Sequence, residues 1–169
     1  IVDIGSHIGT FSLFAAAHSP HAQIIAVEPE PSNAAMVQRN IAVNHLEKRM
    51  SVLQAGIGPA DGTATLHVMF ARSGSGGHSV YQYEEHSNSV TIPVISLSSL
   101  FAYHTIVSCD VLKIDCEGAE YEALYAAPSD LLRRVRCILL EYHHFSKDPR
   151  HTPAELKKFL EENGFAVTS

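Results

Sequence analysis

The stretch V-D-I-G-S-H-I-G-T-F, residues 2–11, decides the fold. Ile1 to Ile4 is a short apolar run suited to a buried strand, Gly5 and Gly9 bracket a turn, and from Ile8 to His18 the residues Phe11, Leu13, Phe14 and Ala17 fall at helical spacing. A strand that runs through a glycine turn straight into a helix opens a βαβ unit, and the missing side chains at that junction let backbone approach a nucleoside-type ligand. The spacing G-x-x-x-G differs from the dinucleotide fingerprint G-x-G-x-x-G, so a sharp turn without a ligand is the competing reading.

Outward from this point the βαβ rhythm continues. Gln23 to Val27 (Q-I-I-A-V) predicts a parallel strand buried on both faces, Pro31 to Leu46 a long helix opening with proline, and Ser51 to Gln54 a third strand. Gly62 to Phe70 and Ser89 to Ser96 read as further strands. Between them A-R-S-G-S-G-G-H-S, residues 71–79, has no periodicity and predicts a surface loop, with Arg72 to His86 expected to act as a lid. Asp110 to Ile114 predicts a strand, Ala119 to Ala126 a helix, Cys137 to Tyr142 a strand, and Thr152 to Asn163 an amphipathic helix closed by Gly164. The alternation implies an α/β class: a Rossmann-like three-layer sandwich with a mainly parallel sheet, forming a single domain over residues 1–169. The chain opens on a strand already in progress and stops at Ala166 to Ser169 in what reads as a penultimate strand, so truncation at both ends is expected.

Bulk properties narrow the partners. A length of 169 residues with 46% hydrophobic and 18% charged residues suits one core. The net charge of -6, without any Lys/Arg-rich run, disfavours nucleic acid and anionic membrane surfaces, and a small, uncharged or mildly polar substrate fits better. No apolar run approaches the roughly 20 residues needed to span a bilayer, so membrane insertion is not expected. A cytoplasmic location is expected if no signal segment precedes Ile1, and oligomeric state is not legible. Cys109, Cys116 and Cys137 show no C-x-x-C spacing and read as reduced, buried filler.

Glu28 stands at the carboxyl end of the second strand, roughly 20 residues after the glycines, where an acid can accept hydrogen bonds from both hydroxyls of a ribose. The bland reading makes it a solvated cap of the helix that starts near Pro31. Asp115 and Glu117 follow D-V-L-K-I, and Glu141 and His143 follow C-I-L-L. Since ligands of open parallel sheets bind beyond the carboxyl ends of the strands, both clusters are expected at the same crevice as Glu28. Asp115 reads alternatively as the N-cap of a helix beginning around Gly118, and Glu120 as a solvated first-turn acid. Lys113 points the other way on its strand, where it can pair with a neighbouring acid.

Four blocks, V-D-I-G-S-H-I-G-T-F-S-L, A-V-E-P-E-P-S-N, L-K-I-D-C-E-G-A-E-Y-E-A-L and I-L-L-E-Y-H, cover nearly the whole chain and resemble the signatures of FkbM-type class I methyltransferases. The resemblance implies S-adenosylmethionine as cofactor and O-methylation of a small-molecule hydroxyl, on a sugar, a polyketide-type product or a lipid. It further implies that Asp3, Gly5 and Gly9 hold the methionine moiety, that Glu28 holds the ribose, and that Gln54 and Ala55 border the adenine. His7 departs from the family, which usually has asparagine between the glycines.

Methyl transfer to an alcohol needs alignment and removal of one proton. Asp115, Glu117 and His143 are the candidate catalytic residues, with no metal assigned. A divalent-cation site built from Asp115, Glu117, Glu141 and His143 is the rival reading of the same residues. A NAD-dependent oxidoreductase and a catalytically inactive interaction module are the other function classes that the βαβ pattern allows.

Overall fold

The computed structural model describes residues 1–68, 88–143 and 147–168. The expected loop at 71–79 and lid at Arg72 to His86 lie outside the described residues. Five strands, β1 (Val2–Ile4), β2 (Ile24–Val27), β3 (Met50–Leu53), β7 (Leu112–Ile114) and β8 (Ile138–Leu140), form one sheet in the order β3-β2-β1-β7-β8. Every neighbour pair in it is parallel. The rest comprises the helices α1 (Thr10–His18), α2 (Pro31–Val43), α3 (Leu97–Tyr103), α4 (Glu120–Tyr125), α5 (Ser129–Leu132) and α6 (Pro153–Glu162), with strands β4 (Gly56–Gly58), β5 (Gly62–Val68) and β6 (Asn88–Ser96). These last three make a small sheet in which β6 pairs with β4 in parallel and with β5 antiparallel.

Period-two alternation of the central strands sorts side chains onto the two faces. Val2, Ile4, Leu112 and Ile114 pack with Val27 against Leu100 and Phe101 of α3, Tyr121 and Leu124 of α4, and Leu156 and Leu160 of α6. Ile24 and Ala26 turn to the other face and pack with Ala15, Ala16, Val37 and Ile41 from α1 and α2. Asp3 shares that second face, paired in register with Ala26 on one side and Lys113 on the other. Its carboxylate is fully buried, and such a charge persists only with partners. Ser12 Oγ donates to Oδ2 at 2.7 Å, and Lys113 Nζ stands 3.3 Å from Oδ1. The expected pairing of Lys113 with a neighbouring acid is therefore met twice, since it also reaches Asp115 Oδ2 at 3.4 Å.

Several boundaries differ from the sequence reading. The second helix stops at Val43 rather than Leu46, because His45 turns left-handed (φ 58°) while the His45 and Leu46 N–H groups return to Ala42 and Ile41. The α3 helix ends alike: it stops at Tyr103, Thr105 turns left-handed (φ 53°), and the Thr105 and Ile106 N–H groups return to Ala102 and Phe101. Glycine is the usual residue for this stop. Among the described helices only α6 uses one, Gly164, so only that end carries the signal in the sequence. The short elements β4, α3 and α5 were not anticipated, and residues 166–168 form no strand. Cys109 is buried, but Cys137 is exposed and is not filler.

Gly5 is the tightest point of the frame. Its φ is 73°, and a Cβ there would stand 1.6 Å from the carbonyl oxygen of Asp115. The missing side chain thus makes room for the backbone at the end of β7. Gly5→Ala is expected to destabilise the fold by more than about 2 kcal/mol, combining left-handed strain with a backbone clash. Urea denaturation checks this, and an unchanged midpoint contradicts it.

Candidate functional site

One cleft opens beyond the carboxyl ends of β1, β2 and β7. The glycine turn contributes Gly5 and His7 to its wall, and the end of β2 contributes Glu28 and Asn33 beyond it. Ala55 and Ile57 line it after β3, Leu66 and Ile92 come from the small sheet, and Asp115, Cys116 and Glu117 follow β7. Of the residues expected in a site, Gly5, Glu28, Ala55, Asp115 and Glu117 therefore line this cleft. Asp3 lies beneath α1 instead, Gly9 packs towards Val37, and Gln54 is exposed outside the lining.

Glu28 is buried at 4% exposure, so it is not a solvated cap. Capping of α2 belongs to Glu30, whose carboxylate accepts the Asn33 N–H at 2.7 Å. Glu28 instead ties the glycine turn to β2: Oε2 accepts the His7 N–H at 2.8 Å, and Oε1 accepts the Glu30 N–H at 3.0 Å and the Asn33 amide at 3.4 Å. Burial outweighs these hydrogen bonds and pushes the Glu28 pKa up to about 7. The bond from His7 comes from its backbone, so the histidine in place of asparagine leaves it intact. His7 has φ 53°, a left-handed conformation that asparagine and histidine both tolerate.

The acidic loop after β7 is organised by Glu120, which the sequence reading made a solvated acid. It is fully buried. Its carboxylate accepts the Gly118 N–H at 2.9 Å and the Cys116 N–H at 3.2 Å, and meets His143 Nδ1 at 2.8 Å. The α4 N-cap is Ala119 without a side-chain bond, so Asp115 is not the cap of this helix. Glu117 adopts φ 53°, a strained backbone for a residue of this kind, in the middle of the loop.

His143 Nε2 faces Glu117 Oε2 at 3.6 Å and Glu141 Oε1 at 3.9 Å. Burial alone would lower the His143 pKa, but the hydrogen bond and charge of Glu120, with Glu117 and Asp115, raise it on balance. Glu117 is raised by burial, opposed by His143, with Asp115, Glu120 and Glu141 adding like-charge repulsion. The Cys116 thiol in the cleft wall is pushed well above its usual value by burial and by Glu120 and Asp115, so it is protonated at neutral pH. Sequence reasoning missed Glu120, Asn33 and the apolar walls Leu66 and Ile92. The spacing E-G-A-E, which lets a first-turn acid reach back to the loop N–H groups, was the available signal for Glu120.

A five-stranded parallel sheet with helices on both faces, carrying a glycine turn, a buried acid after β2 and an acidic loop after β7, defines a Rossmann-like α/β domain with its cleft at the carboxyl ends of the strands. The FkbM methyltransferase domain model matches residues 3–167, and the chain belongs to that family. It is similar to the methyltransferase sdnD of Sordaria araneosa, 26% identical over 99% of this chain and 74% of that protein. It also resembles the 31-O-demethyl-FK506 methyltransferase FkbM of Streptomyces tacrolimicus, 24% identical over 100% of this chain and 73% of that protein. The crystal structure of methyltransferase FkbM from Methylobacillus flagellatus KT shares the fold, with a TM-score of 0.51 and 20% identity over 78% of this chain. The present chain spans 29% of that one. Family membership assigns the domain to methyltransferases and not to nicotinamide oxidoreductases. Among the described residues no helix is long and apolar enough to cross a membrane.

The raised Glu28 pKa has a consequence for folding. Between the ordinary carboxylate value and about 7 the folded chain holds a proton that the unfolded chain releases, so this group lowers stability as pH rises through that window. The expected loss is at most about 3 kcal/mol. Glu28→Gln is expected to flatten that slope in denaturation curves recorded at pH 5 and pH 8, and an identical slope in both proteins contradicts the assignment.

Proposed function

We propose that this domain transfers the methyl group of S-adenosylmethionine to a hydroxyl of a small molecule, sugar or lipid. The observation that carries the reading is that Glu28, tied to the glycine turn through the His7 N–H, faces the same cleft as Asp115 and Glu117. The residues present fit the cofactor. A carboxylate has about four acceptor positions, and Glu28 uses three of them on the chain, which leaves capacity towards a ribose diol. At the glycine turn, Ser6 Oγ and His7 Nε2 are buried with no hydrogen-bond partner among the described residues, and His7 lines the cleft, which suits a polar ligand group near this turn.

In this reading Gly5 and Glu28 hold the methionine and ribose portions, and Ala55 borders the adenine with Gln54 at its edge. Asp3 and Gly9 support the turn from behind. Bound there, S-adenosylmethionine supplies a methyl group on a sulfonium whose departure leaves a neutral thioether. The protein aligns the acceptor oxygen and accepts its proton. Asp115 and Glu117 face the cleft and His143 stands behind Glu117, so proton removal falls to this set.

Two experiments test the reading. Calorimetric titration is expected to show binding of S-adenosylmethionine and not of NAD, with affinity rising about tenfold from pH 6 to pH 8 as Glu28 ionises. Glu28→Ala is expected to remove that slope and weaken binding by about 1.5–3 kcal/mol without unfolding the domain. Absence of binding to either nucleoside cofactor would point instead to an interaction module. Secondly, Asp115→Asn is expected to cut turnover by about 10²–10⁴ while cofactor affinity stays within a few-fold. Full turnover in that variant removes Asp115 from the chemistry.

A further inference from the structure

Asp115, Glu141 and His143 each present one ligand atom, and these atoms all lie within 4.8 Å of one another. The set combines two carboxylates with an imidazole, donors that suit hard divalent ions such as manganese or magnesium. A second observation concerns how the imidazole is held. Glu120, outside the trio and fully buried, engages His143 Nδ1 at 2.8 Å while two loop N–H groups fix its own carboxylate. This carboxylate–histidine pair matches the outer shell that orients metal-bound histidines, fixing the tautomer and aiming the other ring nitrogen at the ion. The aimed nitrogen, Nε2, points to the side where the acids Glu117 and Glu141 stand.

Local charge argues the same way. Four carboxylates, from Asp115, Glu117, Glu120 and Glu141, surround one imidazole. The neighbouring cation, Lys113, is shared with the buried Asp3. Distances allow a common ion: ligands at about 2.1–2.2 Å from such an ion stand up to about 4.4 Å apart when opposed. The bound on the three ligand-atom separations is close to that span, and Glu141, with a side chain 70% exposed, has room to adjust.

We infer that Asp115, Glu141 and His143 bind one divalent cation of the manganese or magnesium class, with Glu120 as the positioning residue of the histidine. On the methyl-transfer reading above, the ion would lie beside the cleft and polarise the acceptor oxygen, easing loss of its proton. The binding site itself stands on the side-chain geometry and not on that reading.

The test is titration of the whole chain with Mn²⁺ alone, following the electron paramagnetic resonance signal of the unbound ion. One ion per chain is expected, with a dissociation constant below about 1 mM and displacement by Mg²⁺. Glu141→Gln alters an exposed side chain and leaves the core untouched, yet it is expected to weaken binding at least about tenfold, as is His143→Gln. Circular dichroism verifies that both variants fold. No Mn²⁺ binding at millimolar concentration, or equal affinity in wild type and Glu141→Gln, overturns the site. Manganese binding by a chain that does not bind S-adenosylmethionine would keep the cation site and defeat the methyl-transfer reading, and the converse result would do the opposite.

Discussion

The approach of the first turn to the end of β7 is the contact on which the rest of the molecule depends. Backbone of Gly5 meets the Asp115 carbonyl with no space for a side chain, while the Asp115 N–H donates to Ile4 at 3.1 Å. Two consequences follow from this one closure. The turn is carried across the top of β1 so that the His7 N–H reaches Glu28, and the acidic loop is brought up against the same opening. Chain segments more than a hundred residues apart thus share one wall.

Two buried carboxylates then stabilise the loops that this closure brings together. Glu28 and Glu120 each accept hydrogen bonds from backbone N–H groups of irregular segments, the glycine turn in one case and residues 116–118 in the other. Such N–H groups have no strand or helix partner, and leaving them buried and unmet would cost about 1–3 kcal/mol apiece. The same acids are therefore scaffolding and local electrostatics at once. Burial keeps Glu28 near its titration point, and Glu120 biases the imidazole of His143 towards its charged form.

Much of the frame was legible because it rests on periodicity. The apolar runs of β1, β2 and β7, the proline opening α2 and the glycine closing α6 each carry a local signal, and the place of Glu28 follows from order along the chain. What escaped was decided by tertiary context. The stops at His45 and Thr105 use residues that carry no special stop signal, and β4, with only Gly56 to Gly58, is too short to show a period. Glu120 was misread as solvated because an acid in the first turn of a helix looks the same in sequence whether it faces water or a loop. Its partners, the Cys116 and Gly118 N–H groups and His143, become visible only when β7 and β8 are side by side. The alternative cap readings of Glu28 and Asp115 are ruled out, since Glu30 already caps α2 and α4 begins without a side-chain cap.

The three cysteines illustrate how burial divides identical chemistry. Cys109 and Cys116 have thiols raised in pKa chiefly by desolvation, whereas Cys137 stands exposed at the foot of β8. Thiolate is the reactive form, and only an accessible sulfur meets a reagent. The native chain consequently shields Cys109, holds Cys116 part-exposed in the cleft wall and leaves Cys137 open, so that the three thiols are expected to meet a reagent at different rates in the folded chain and alike in the unfolded one. Because Cys137 immediately precedes the strand that leads to Glu141 and His143, a label attached there sits on the same structural element as the acidic cluster while remaining outside the cleft lining.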